Sequence, residues 1–87
     1  MVLIIDDEKK ICSLLSRIIE LEGFKTLQAN TGKEGLKLLK SNEVSIVISD
    51  VKLPDVNGVA LVKDIKAIKS YVEIIPYVAP CTALNVK

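Results

Sequence analysis

Ile48-Ser49-Asp50-Val51-Lys52-Leu53-Pro54-Asp55-Val56-Asn57-Gly58 decides how the chain is read. The apolar run from Val44 to Ile48 ends on a single carboxylate, Asp50, and a Pro-Asp-x-Asn-Gly turn follows. Open α/β sheets keep their ligands beyond the C-terminal ends of the strands, and a carboxylate there is placed for chemistry rather than for solubility. A second acidic group, Asp6-Asp7-Glu8, follows the apolar run Val2–Ile5 in the same way.

Working outward from these two points, the hydrophobic period alternates between two kinds of segment. Val2–Ile5 is continuously apolar, as suits a parallel strand covered on both faces. From Lys9 to Leu21 the spacing becomes helical, with Ile11, Leu14, Leu15, Ile18 and Leu21 on one stripe and Lys10, Ser13, Arg17 and Glu20 largely opposite. Gly23 stops that helix with a residue suited to a left-handed cap. Phe24–Ala29 reads as a short, more polar edge strand. Thr31 and Glu34 form a Thr-x-x-Glu capping box, and the helix they open uses Leu36, Leu38 and Leu39 before running out at Ser41-Asn42. Val44–Ser49 is the third strand. Val59, Leu61, Val62, Ile65 and Ile68 make a third helix, and Val72–Ile75 a fourth strand. Strand and helix thus alternate three times and end on a strand. This pattern implies right-handed crossovers and an α/β, three-layer, flavodoxin-like parallel sheet of order 2-1-3-4. Pro76 and Pro80 lack the N–H that an interior strand needs, so the strand pattern is expected to fail from residue 76.

In such a sheet the first and third strands are neighbours, which brings Asp6, Asp7 and Asp50 to one edge. Clustered carboxylates raise one another's pKa values unless a cation joins them, and a hard divalent ion such as Mg2+ is the natural partner. Each acid alone could equally cap a helix or solvate a loop; the argument for a site rests on the pair and the single residue together.

Composition excludes several alternatives. The chain has 87 residues with 12 basic and 11 acidic, a net charge of +1 and no basic cluster, which argues against direct nucleic-acid binding. No apolar run approaches the ~20 residues of a membrane span, and the N-terminus has neither basic region nor cleavage site, so the expected location is cytoplasmic. Two cysteines, Cys12 and Cys81, and no histidine leave no zinc site and no Ser-His or Cys-His nucleophile.

The residues resemble the receiver domain of two-component response regulators. Val2-Leu3-Ile4-Ile5-Asp6-Asp7-Glu8 is similar to that family's first strand and acidic pair. Ser49 to Gly58 is similar to its phosphoacceptor strand and turn. The resemblance covers Met1 to about Ile75, with residues 76–87 an atypical tail of a single domain. It implies that Asp50 takes a phosphoryl group from a histidine kinase or a small phosphodonor. It also implies that Asp7 binds Mg2+ directly, that Asp6 binds through water or positions the metal, and that the main-chain carbonyl of Lys52 is a further ligand. The domain would assist its own phosphorylation without being an enzyme.

The chain also departs from the family. The Ser or Thr that ends the fourth strand falls on Val78, and the last helix-strand-helix, with its lysine, is lacking. Impaired switching is therefore expected, as is a C-terminal truncation or altered reading frame after about residue 75. With the first helix alone on its sheet face, a homo-oligomer or swapped dimer is expected, and any output domain would lie outside this chain. The competing readings are a non-phosphorylated pseudo-receiver that binds a partner, and a Mg2+-dependent phosphatase. The latter would want two acids two residues apart after the first strand, a spacing that Asp6-Asp7-Glu8 does not have.

Overall fold

The computed structural model describes residues 1–50 and 58–77. Its elements are β1 (Val2–Ile5), α1 (Lys9–Leu21), β2 (Thr26–Ala29), α2 (Gly32–Ser41), β3 (Ile46–Asp50), α3 (Gly58–Ile68) and β4 (Glu73–Tyr77). The four strands form one parallel sheet in the order β2-β1-β3-β4, as the alternation of periods requires.

Side chains alternate across β1 and divide the interior in two. Leu3 and Ile5 point to the face covered by α2 and α3, where they join Ala29, Leu39, Val44, Val47, Leu61, Ile65 and Val72 in the larger core. Val2 and Ile4 point to the α1 face and meet Cys12, with Leu15, Ile19, Ile46 and Ile48 packed around them. All four residues of β1 are buried because both of its faces are covered. The approach of α2 to β1 is close: a Cβ on Gly35 would lie 2.5 Å from Ile5 Cδ1, so the Ile5 side chain would have to shift to admit one.

Helix ends follow local chemistry. Gly23 adopts φ 93° and its N–H donates to Glu20 O, closing α1. Thr31 Oγ1 accepts from Glu34 N at 3.1 Å at the start of α2. The reciprocal half of the expected capping box is displaced by one residue, since Glu34 Oε1 accepts from Asn30 N at 2.9 Å.

Four expectations need correction. In α1 the buried positions are Cys12 and Ser16, flanked by Leu15 and Ile19, whereas Leu14, Ile18 and Leu21 are 54%, 51% and 81% exposed. The small Cys12 and Ser16 let the helix lie close to β1 and β2, with Ser16 Oγ hydrogen-bonded to Thr26 Oγ1. The large apolar residues of the expected stripe consequently stand off the sheet. In α3, Leu61 and Ile65 are buried as expected, but Val59 and Val62 are exposed. In β4, pairing with β3 runs through Pro76, opposite Ser49, to Tyr77. Proline is tolerated there because the strand is paired on one side only, among the described residues. The strand β2 begins at Thr26 rather than Phe24. The loop of residues 51–57 and the tail from Val78, including Cys81, lie outside the described residues.

The two leucines Leu14 and Leu39 test this packing. Leu39→Ala removes a fully buried side chain and is expected to cost ~2–5 kcal/mol. Leu14→Ser should change stability by less than ~0.5 kcal/mol. Urea unfolding of both variants measures the difference; equal losses would mean that α1 buries the stripe its spacing suggests.

Candidate metal and phosphoacceptor site

The register of the sheet assembles the site. Ile5 pairs with Ser49, so the residues that follow, Asp6 and Asp50, emerge side by side at the C-terminal edge. Asp7 comes next along the chain. One carboxylate oxygen from each of Asp6, Asp7 and Asp50 lies within 4.8 Å of the others. Asp6 and Asp50 are buried, at 0% and 4% exposure, and Asp7 is exposed. Sequence reasoning therefore places these three residues together correctly. The remaining expected ligand, the carbonyl of Lys52, lies outside the described residues.

The acidic turn is held at several points. Asp6 N–H donates to Ala29 O at 3.0 Å, and Glu8 N–H donates to Asp6 Oδ1 at 2.9 Å. Asp6 O accepts from Asn30 Nδ2 at 3.0 Å and faces Cys12 Sγ at 3.4 Å. Asn30 and Cys12 are the residues that sequence reasoning missed. Only the topology, which puts the ends of β1 and β2 side by side, could have pointed to Asn30.

Electrostatics follow from this crowding. Desolvation, then the hydrogen bond and charge of Asp6, then the charge of Asp50, push the Asp7 carboxyl above its ordinary value of 3.8. Burial first, and the charge of Asp6 second, push the Cys12 thiol up to about 11, so it remains a neutral thiol at physiological pH.

Three oxygen donors this close, two of them buried, suit a hard divalent cation such as Mg2+ and do not suit a soft one. The chemistry of the donor set thus fits the metal that the resemblance implies.

The sequence profile of the response regulator receiver domain matches residues 2–82, and the chain belongs to that family. The match runs past the limit near Ile75 that the motifs alone indicate. The response regulator SaeR of Staphylococcus aureus is 41% identical over 64 residues, which cover 74% of this chain and 28% of SaeR. The chain thus spans little more than a quarter of the curated relatives it matches. Among solved structures, a receiver domain protein of Clostridium thermocellum superposes with a TM-score of 0.84 at 29% identity, covering 97% of this chain and 68% of that one. The response regulator TrrA of Thermotoga maritima has been solved in complex with the histidine kinase ThkA and, separately, with Mg2+–BeF. In the kinase complex the TM-score is 0.82 at 32% identity, covering 90% of this chain and 67% of that one. In the Mg2+–BeF complex it is 0.78 at 32% identity, covering 84% and 64%. The four-stranded sheet and three helices described above are therefore those of a CheY-like, flavodoxin-type fold.

Asp7→Asn tests the repulsion within the cluster. A carboxyl whose pKa is raised by folding binds protons more tightly in the native state, so its ionisation costs stability as pH rises through and above that window. Without metal, Asp7→Asn is expected to raise the melting temperature at neutral pH. The gain should shrink as pH falls towards 3.8, where the native carboxyl is protonated. Melting curves in chelator at the two pH values measure it; a lower melting temperature at neutral pH would contradict the repulsion.

Proposed function

We propose that the chain is a phosphoacceptor whose Asp50 takes a phosphoryl group from a phosphohistidine of a histidine kinase, or from a small acyl phosphate. The observation that carries this reading is the close approach of Asp50 to Asp6 and Asp7 at the edge of β1 and β3. TrrA, a relative that has been solved with a histidine kinase and with Mg2+–BeF, supports the choice of partner and cofactor. Asp6 and Asp7, with Asp50 and the main-chain carbonyl of Lys52, would hold Mg2+. When bound, that ion supplies positive charge against the phosphoryl oxygens and against the acids themselves. The chain's own contribution is nucleophile and position. A carboxylate oxygen of Asp50 forms a bond to phosphorus as the P–N bond of a phosphohistidine, or the P–O bond of an acyl phosphate, breaks in line, and the imidazole or the carboxylate leaves with the electron pair. The acyl phosphate that results stays on the protein, so this is a stoichiometric transfer with no phosphomonoesterase turnover.

Val78 stands where the family places a hydroxyl, and valine has no hydrogen bond to give a phosphoryl oxygen. The reading therefore includes impaired switching after phosphorylation. The expected location is cytoplasmic, where a histidine kinase presents its phosphohistidine; the described residues include no helix long and apolar enough to cross a membrane. SaeR extends well beyond the matched 28%, which supports an output domain outside this chain.

Incubation with acetyl phosphate and Mg2+, followed by intact mass measurement, tests the reading. One phosphoryl adduct is expected, lost in Asp50→Asn and in chelator. No adduct, or an adduct that persists in Asp50→Asn, would overturn it.

Oligomerisation rests on a separate observation. An apolar groove lined by Val2, Ile18, Ile19, Ile46, Ile48 and Ile75 runs beside α1 over β3 and β4. We propose that a second copy of this chain covers it. Exposed Leu14 lies one turn from the groove residue Ile18 on α1, so each copy would offer Leu14 to the other's groove in an isologous pair. A net charge of +1 sets up little repulsion between copies. Light scattering is expected to report a dimer that Ile18→Lys dissociates; a wild type that stays monomeric at high concentration would refute it. A groove covered in this way without phosphorylation would be the pseudo-receiver alternative, which the mass measurement separates.

A further inference from the structure

Asp7 is the exposed member of the acidic cluster and little packing holds its side chain. Its direction depends on the peptide that joins it to Asp6, because the plane of that peptide sets ψ of Asp6 and φ of Asp7. The carbonyl of that peptide, Asp6 O, accepts from Asn30 Nδ2 at 3.0 Å and lies 3.4 Å from Cys12 Sγ. Asn30 is itself fixed through its N–H, which donates to Glu34 Oε1 at 2.9 Å inside the cap of α2. Asn30 Nδ2 also approaches Cys12 Sγ at 3.7 Å, so the amide and the thiol meet over the same carbonyl.

We infer that Asn30 is a positioning residue for the acidic pocket: its side-chain amide, seconded by the Cys12 thiol, clamps the Asp6–Asp7 peptide so that the Asp7 carboxylate lies beside those of Asp6 and Asp50. This rests on the phosphoacceptor reading for its use of the pocket, but the clamp has consequences in the metal-free protein as well. Both donors are neutral. They fix the backbone without placing a positive charge among the acids, where a lysine would compete with a divalent cation. Supporting residues of this kind typically alter metal affinity by about 10–100-fold when removed.

The test compares Asn30→Ala with Thr31→Ala, which removes a hydrogen bond from the same helix cap without touching Asp6. Mg2+ binding is measured by calorimetry or by amide shifts. Asn30→Ala is expected to weaken it about 10-fold, and Thr31→Ala to leave it within about twofold. Cys12→Val, which removes the second donor at similar volume, should move affinity in the same direction by a smaller factor. It serves as the second variant if Asn30→Ala folds poorly. Hydrogen exchange of the Glu8 amide, which donates to Asp6 Oδ1, provides a metal-free readout. It should speed up about fivefold or more in Asn30→Ala and stay unchanged in Thr31→Ala. Unchanged Glu8 exchange, or equal effects in the two variants, overturns the clamp. A wild type that is silent to Mg2+ but keeps the exchange difference overturns the phosphoacceptor reading and leaves the clamp standing.

Discussion

The structure depends on bringing like charges together at the end of two adjacent buried strands. Asp6 follows β1 and Asp50 ends β3, and the two strands are locked in register from Val2 opposite Ile46 to Ile5 opposite Ser49. β1 is apolar and buried throughout, β3 is apolar from Ile46 to Ile48 and partly buried, and each leads into an acid at its C-terminal end. Burial of the strands thus supports the repulsion at their ends, since neither acid can withdraw without disturbing the sheet. The cost falls most visibly on Asp7, whose carboxyl is raised by desolvation and by its two acidic neighbours.

The two faces of the sheet contribute unequally. On the side of α2 and α3 a continuous core reaches from Leu3 and Ile5 to Leu61 and Ile65. Lysine side chains tie its rim, with Lys69 Nζ donating to Asn42 O and Lys66 Nζ to Val72 O. On the other side α1 covers β1 and β2, and Ile46, Ile48 and Ile75 are left half-buried or exposed. The acidic edge is anchored to the well-packed layer through β1, which belongs to both. Incomplete cover on one face, among the described residues, is therefore compatible with a formed site.

Much of this was legible in the sequence. Alternation of period gave the element order, and the 2-1-3-4 sheet it implies brought the acids after Ile5 and Ser49 to one edge. What was not legible has a common physical cause: periodicity records which residues are apolar, not how much neighbouring structure is there to bury them. Leu14 and Ile18 fit a helical stripe, yet the helix settles on Cys12 and Ser16, whose small size permits close approach to the sheet. Pro76 reads as a strand breaker, yet β4 continues through it because that strand is paired on one side only among the described residues. Asn30 carried no signal at all, since its role depends on a carbonyl brought to it by the pairing of β1 with β2.

Cys12 shows how the same constraint selects chemistry beyond the acids. Burial first, and then the charges of Asp6, Asp7 and Glu34, oppose ionisation of this thiol, which stays protonated up to about 11. That makes it unsuitable as a nucleophile or a metal ligand, both of which need the thiolate. It is well suited to be a small, neutral, buried donor facing the carbonyls of Asp6 and Ala29, where β1 and β2 end. A serine could donate there too, but its hydroxyl is more costly to bury than a thiol if its hydrogen bond is lost. A cationic donor would neutralise the pocket that the strands assemble. The acidic cluster thus favours neutral support on its flank, and leaves positive charge to whatever binds between the carboxylates.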